Sequence, residues 1–362
     1  MGFNCGIIGL PNVGKSTIFN AMTAARAQAS NYPFCTIDPN IGMAVLRDKR
    51  LSTLAGIVKP EKLVPTAVEF VDIAGLVKGA IKGAWLGNQF LGNIRSVDTI
   101  AHIVRCFQDP DVVHVDGKVD PKADIEVVET ELILADLDAV ERRIEKTERL
   151  LKTGGKAAME TMQACRDILA ELEQGRPARN ATAETRAVVN DLNLLTAKPI
   201  IYVANVDEDD LDAVSVAALA VKETAQRQGA GFVALCGRIE AEIAELSEAE
   251  RPGFLEGLGI KESGLDRLAA AAYEVLGLIT FFTAGKKEVR AWTVRKGALA
   301  PQAAGVIHSD FERGFIRAEV IAYEDFVSCA GEAGCREKGL LRVEGKDYVV
   351  KDGDIMHFRF GV

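Results

Sequence analysis

Residues 9–17, GLPNVGKST, place two glycines, a lysine and two hydroxyls in an order suited to holding phosphate. They satisfy the pattern GxxxxGK[ST], which acts as a phosphate loop when a strand precedes it and a helix follows. The glycines let backbone N–H groups face phosphate oxygens, and a helix N-terminus adds its partial positive charge. In that role Lys15 reaches the β- and γ-phosphates and the Ser16 hydroxyl ligates Mg²⁺. Farther on, VEFVDIAGL sets Asp72 at the end of an apolar run. There a carboxylate can hold Mg²⁺ through water, and Gly75 can offer its N–H to the γ-phosphate. Between them, NYPFCTIDPN (31–40) carries Thr36, a natural switch threonine and further Mg²⁺ ligand. A plain surface turn is the alternative for that segment.

Two positions bear on hydrolysis. Leu76 follows Gly75 where many P-loop GTPases carry a water-orienting glutamine, and leucine can neither donate nor accept a hydrogen bond. Either the chain does not hydrolyse nucleotide or another group places the water. His114, in the loop QDPDVVHVDGKVDP, is a polar candidate, set against the ordinary fate of a solvated loop histidine. The segment KGAIKGAWLGNQFLG, with Gly79, Gly83 and Gly87, is expected to order with the γ-phosphate.

The base is addressed after the apolar run IIYVA, by Asn205-Val206-Asp207-Glu208. Guanine recognition normally uses the Asp of NKxD to accept from N1–H and the 2-amino group. Here Val206 replaces the lysine and Glu208 stands one methylene longer in the fourth position. Asn205 with the neighbouring backbone could serve adenine, while Glu208 remains an acceptor for guanine. Both bases stay open on these residues alone.

These groups need a scaffold. FNCGII (3–8), IGMAVLR (41–47), AVEFVDI (67–73), TIAHIVRCF (99–107), PIIYVAN (199–205) and GFVALC (231–236) are strand candidates. Helical stretches separate most of them, which implies a mostly parallel sheet covered on both faces. Ile133, Leu137, Val140, Ile144, Thr147 and Leu151 repeat at heptad-like spacing, and the pattern resumes from Ala158 to Leu172 after TGGK. That predicts an antiparallel helical coiled-coil arm inserted between two strands of the sheet, with a helix over 124–152 about 43 Å long. Self-packing scaffold and partner surface are both compatible with such an arm. From 278 the pattern changes to a small mixed β domain, with DFERGFIRAEVI helix-like and a final strand over Ile355–Phe360. The fold class is thus α/β. The expected division is a P-loop nucleotide-binding domain over 1–120 and 197–277, an arm over 121–196 and a C-terminal domain over 278–362.

Composition agrees. An apolar content of 48% and a charged content of 26% suit a soluble chain with real cores. Its net charge of −9 argues against a general nucleic-acid coat, but the acidity sits in residues 121–277 and the two ends are near neutral. No apolar run is long enough for a membrane span, and the N-terminus does not read as a signal peptide. Seven scattered cysteines suit free thiols in a reducing cytoplasm.

Taken jointly, GLPNVGKST, NYPFCTIDPN, VDIAGLVKGA, NVDE and VVKDGDIMHFRF resemble the YchF/Obg-like ATPase family nearly end to end. The resemblance implies a translation-factor-class P-loop GTPase fold with a C-terminal TGS domain of β-grasp form. It implies ATP as substrate, with phosphate contacts from Asn12, Val13, Gly14, Lys15, Ser16 and Thr17. Base contacts fall to Asn205, Val206, Glu208, Cys236 and Gly237, and Mg²⁺ ligation to Ser16, Thr36 and Asp72. It also implies slow hydrolysis stimulated by K⁺ near Asn12, with His114 assisting alongside Lys15 and Gly75. The ribosome is the implied partner, in a monomeric cytoplasmic protein linked to translation and stress responses. The alternatives are a GTPase of the same fold and a nucleotide-gated ribosome-binding protein with negligible hydrolysis.

Overall fold

The computed structural model describes residues 3–28, 40–73, 85–114, 117–151 and 155–361. Thr36, Gly75, Leu76, Gly79 and Gly83 lie outside the described residues. Strand β1 (Asn4–Ile8) leads through the phosphate loop into α1 (Lys15–Gln28) and back as β2 (Ile41–Val45). An excursion, α2 (Lys49–Val58) and β3 (Lys62–Val64), precedes β4 (Ala67–Asp72). Then come α3 (Trp85–Ser96), β5 (Thr99–Arg105) and the hairpin α4 (Pro121–Leu151) with α5 (Lys156–Glu173). After the short α6 (Ala183–Val188), the chain alternates through β6 (Ile200–Asn205), α7 (Val216–Gln228), β7 (Gly231–Leu235) and α8 (Gly237–Glu245). Helices α9 (Arg251–Gly257) and α10 (Gly264–Val275) follow.

These strands form a six-stranded sheet in the order β2-β4-β1-β5-β6-β7. It is parallel throughout except at its edge, where β2 runs antiparallel to β4. Its central strands are near-continuous apolar runs because helices cover both faces; β5 and β6 are buried at every residue. Parallel strands end at one edge of the sheet, and the phosphate loop, Asp72 and Asn205 all sit at the C-terminal ends of β1, β4 and β6. Ligands of open α/β sheets bind at that edge.

The arm has two different halves. Ile125, Val128, Leu132 and Ala135 of α4 belong to the main core under the sheet. Only from Ile133 and Val140 onward does α4 pack with Cys165, Ile168 and Leu172 of α5. The heptad spacing therefore marks the outer turns correctly, while the first turns of the same helix are an ordinary sheet-covering helix. The base is also tied by polar groups. Tyr202 of β6 donates to Glu129 Oε1 at 2.9 Å, and Arg179 reaches the same oxygen at 2.8 Å. The strand that carries Asn205 is thus bonded to the root of the arm.

The C-terminal part contains β8 (Leu278–Ala284), β9 (Glu288–Arg295), α11 (Ala300–Ile307), α12 (Ser309–Arg313) and β10 (Phe315–Ile321). It closes with α13 (Tyr323–Ser328), α14 (Glu332–Glu337), β11 (Arg342–Glu344) and β12 (Ile355–Phe360). The second sheet has the order β11-β10-β12-β8-β9-β3, with β12 parallel to β8 at its centre as in a β-grasp. DFERGFIRAEVI is not one helix. The helix stops at Arg313, Gly314 breaks it, and Phe315–Ile321 is a strand whose β-branched and aromatic residues suit a pleated surface.

The sixth strand of this sheet, β3, comes from the N-terminal half, pairing Lys62–Val64 with Glu288–Arg290. Leu51 and Leu54 of α2 pack with Phe282, Val289 and Phe326 in one cluster. Arg50 bridges Asp48 and Asp352, and Thr66 shares a 2.5 Å hydrogen bond with Thr293. Residues 49–64 therefore pack with the C-terminal sheet although they lie within 1–120. Because β4 resumes immediately afterwards and ends on Asp72, the strand that carries Asp72 is covalently continuous with that junction.

Candidate nucleotide site

A cleft of about 990 Å³ opens at the C-terminal edge of the first sheet. It is lined by the phosphate loop (Leu10–Asn12 and Gly14–Thr17), by Phe107–Asp109 and Val112, and by Asn205–Asp209 with Cys236 and Arg238. The loop's backbone explains its glycines. A Cβ on Gly9 would sit 2.7 Å from the Ile103 carbonyl oxygen, so β1 and β5 can approach only with glycine there. Gly14 has φ +87° and a Cβ on it would meet Asn205 Nδ2 at 2.2 Å. Ser16 and Thr17 are exposed in the cleft at the start of α1.

Lys15 Nζ donates to the Ile73 carbonyl at 2.9 Å and lies 3.2 Å from Asp72 Oδ1. The lysine thus touches both the last residue of β4 and the residue after it. Asp72 Oδ1 is a buried atom, and its contact with Lys15 has ion-pair distance but not hydrogen-bond geometry. A buried carboxylate oxygen with no hydrogen-bond donor fits the oxygen-rich shell that Mg²⁺ prefers, and Ser16 in the phosphate loop offers an exposed hydroxyl.

Asn205 is buried, and both ends of its carboxamide are engaged: Nδ2 donates to the Val13 carbonyl at 2.9 Å, and Oδ1 accepts from Gly237 N–H at 2.9 Å. It splices the phosphate loop to the loop after β7. Expected as a base reader, Asn205 also holds these two loops together, using one of its two amide N–H groups, and Gly237 N–H is likewise engaged. Val206 is buried with its N–H on Leu235, and Asp207 accepts from Gln108 N–H at 3.1 Å. Glu208 is the exposed acceptor of the NVDE stretch in the cleft. Cys236 is buried at the cleft wall, and burial pushes its thiol above the usual range.

Asn12 has φ +63°, and its Nδ2 donates to the Val113 carbonyl at 3.0 Å. Among the described residues no partner of its Oδ1 is found. His114 does not line the cleft. It is buried, with Nε2 3.0 Å from Asp124 Oδ2 in the first turn of α4. His114, expected to assist hydrolysis, is therefore an interior residue held by Asp124, and it is neither at the cleft wall nor a solvated loop residue. Sequence reasoning missed the cleft wall formed by Phe107, Asp109 and Arg238; these meet only through folding, and no local pattern marks them.

Behind the base loop, Glu240 of α8 is buried and caps α10, accepting from Gly264 N–H at 2.6 Å and Leu265 N–H at 3.2 Å. Burial raises its carboxyl to about 7, against the pull of those two donors. The folded state therefore holds a proton that the unfolded chain has lost once pH exceeds about 4.5. Stability should fall as pH rises from there through about 7, by at most about 3 kcal/mol. Thermal unfolding from pH 5 to 8 should show this slope in the wild type and a flatter profile in Glu240→Gln. Identical slopes would contradict the assignment.

The comparisons agree with this geometry. A family model described as a 50S ribosome-binding GTPase matches residues 4–135. A YchF GTPase C-terminal model, described as a protein of unknown function, matches residues 278–361. Over 364 aligned residues covering all of both chains, this chain is 55% identical to a protein of Haemophilus influenzae named ribosome-binding ATPase YchF. The chain belongs to the YchF family. Like-named proteins of Bacillus subtilis and Escherichia coli O157:H7 are 54% and 53% identical, again over the full length of both. The structure titled as the Schizosaccharomyces pombe YchF GTPase superposes with a TM-score of 0.89 at 37% identity, over 99% of this chain and 98% of that one. The expected architecture, a P-loop domain with an inserted arm and a C-terminal sheet domain, is the YchF one. Among the described residues no helix is long and apolar enough to cross a membrane.

Proposed function

We propose that this chain is a ribosome-binding ATPase that works as a nucleotide-dependent switch in the cytoplasm. Lys15 resting on Asp72 beside base-side loops spliced by Asn205 is the observation that carries the reading, and full-length relatives named ribosome-binding ATPases support it. ATP displaces Lys15 from Asp72 onto the β- and γ-phosphates. Ser16 and Asp72, joined by Thr36, would hold Mg²⁺, which would supply charge neutralisation at the transferred phosphoryl group. Gly75 N–H supports the γ-phosphate oxygens, and Leu76 leaves the water unoriented.

His114 is the proposed water-positioning group, and it reaches the phosphates only when the loop after β5 releases it from Asp124. Basal turnover is therefore slow, and a ribosome-bound state that frees the loop raises it. Asp72 lies at the end of the strand that leaves the α2–β3 junction, so a displacement of Asp72 would be passed along β4 to the segment packed on the C-terminal sheet. Movement of β6 reaches the arm through Tyr202 and Glu129.

K⁺ beside the phosphates is proposed at Asn12, whose Oδ1 is an oxygen of the type that cation needs. Asn12→Ala should lose the stimulation of ATP turnover by K⁺ over Na⁺ while still binding ATP. Phosphate release in the two salts, with ATP affinity measured separately, checks this. Undiminished K⁺ stimulation in the variant would remove Asn12 from the role.

A further inference from the structure

The missed wall of the cleft is a loop, residues 106–114, with its own internal frame. Arg105 is buried, and its guanidinium donates to the carbonyls of Phe107 at 3.3 Å, Asp109 at 3.2 Å and Val112 at 2.8 Å. The same guanidinium lies 4.4 Å over the Phe107 ring. A planar donor with five N–H groups, shared among three carbonyls, makes these residues move as one piece.

Besides the backbone bond from Cys106 N–H to the Asn205 carbonyl at 2.8 Å, three links that use side chains tie that piece to the rest of the cleft. Asn12 Nδ2 holds the Val113 carbonyl, and Asp207 Oδ2 accepts from Gln108 N–H. Each of these needs a side chain on one partner only. The third is a side-chain ion pair: Arg238, at the start of α8, donates to Asp109 Oδ2 at 2.6 Å. Asp109 is already oriented, because its Oδ1 accepts from Asp111 N–H at 2.9 Å. Phe107, Asp109 and Arg238 all line the cleft.

We propose that the Arg238–Asp109 ion pair is a clasp that holds the Phe107 loop against the base-side loops and sets how fast nucleotide leaves. Arg238 is then a positioning residue, acting on the nucleotide through the loop. The inference rests on the cleft being the nucleotide site. The Asp109 side chain is 12% exposed and Arg238 is 68% exposed, so the pair is reachable by water and salt. Such pairs add little to global stability. The clasp can therefore open without unfolding anything, and salt weakens it.

The test is release of an N-methylanthraniloyl-ADP preloaded on the full chain and chased with excess ADP. Arg238→Ala and Asp109→Asn should each release it about five- to tenfold faster, the size expected when one ion pair of about 1 kcal/mol is lost from the closed state. Arg238→Asp combined with Asp109→Arg should return the rate to within about twofold of wild type, because the charge pair is rebuilt in the opposite sense. Raising salt should speed release from the wild type and leave Arg238→Ala almost unchanged. A merely structural role would not produce rescue by charge exchange. Unchanged release in the single variants, or a double variant as fast as the singles, would overturn the clasp while leaving the nucleotide site standing. Failure of the wild type to bind the analogue would overturn both.

Discussion

Lys15→Ala is expected to lower ATP turnover by about 10²–10³-fold, the usual cost of removing one preorganised group that stabilises developing charge. The physical reason is on both sides of the exchange. Within the protein, Lys15 Nζ lies 2.9 Å from the Ile73 carbonyl and 3.2 Å from Asp72 Oδ1. With nucleotide, the same ammonium faces phosphate oxygens that carry more charge than one carboxylate. Alanine removes the second interaction and leaves Asp72 with uncompensated charge facing the incoming phosphates. The fold itself should survive. The lysine pair is partly open to water, so its loss removes about 1 kcal/mol or less. Phosphate release at saturating ATP, paired with thermal unfolding, separates the two effects. Wild-type turnover in a stable Lys15→Ala protein would remove the phosphate loop from the reaction.

Asn205→Asp is expected to be as damaging for a different reason. The substitution keeps shape and keeps an acceptor for Gly237 N–H. It replaces the donor that faces the Val13 carbonyl at 2.9 Å with a second oxygen. The site is buried, so an unpaired charge or an unsatisfied carbonyl costs about 2–3 kcal/mol. ATP affinity should fall by about 50-fold or more, because the phosphate loop and the loop after β7 lose their splice. Equilibrium binding and the unfolding midpoint should fall together. A variant that binds ATP normally but accepts other bases would show that Asn205 reads the base directly.

The phosphate chemistry was visible in the sequence because it is local. Gly14, Lys15 and Ser16 are neighbours in the chain, and a strand before and a helix after suffice to aim them. The same holds for Asp72 at the tip of β4 and for the alternation of strands with helices. Features built across the chain were hidden. The strand β3 is three residues, KLV, and pairs with residues more than two hundred positions away. No apolar period in so short a run distinguishes it from a loop. The heptad pattern located the outer arm but not its root, because the first turns of α4 satisfy the same spacing while facing the sheet.

Two site residues were assigned by type and differ in environment. Asn205 was expected to meet the base, yet its amide satisfies a carbonyl and an N–H inside the protein. His114 is expected from sequence to assist hydrolysis, yet it is buried against Asp124, ten positions away. Neither partner could be chosen from sequence, since both contacts depend on how loops close over the end of the sheet. Glu208 remains where the sequence put it, as the exposed acceptor of the NVDE stretch in the cleft. The names of the relatives divide on the base: ATPase for the bacterial proteins, GTPase for the fission-yeast structure.

The decisive measurement is turnover of ATP and GTP by the wild-type chain at equal concentrations, with and without ribosomes, in K⁺. Faster hydrolysis of ATP than of GTP, rising when ribosomes are added, is the predicted result. Preference for GTP, or no turnover of either nucleotide with ribosomes present, would contradict it.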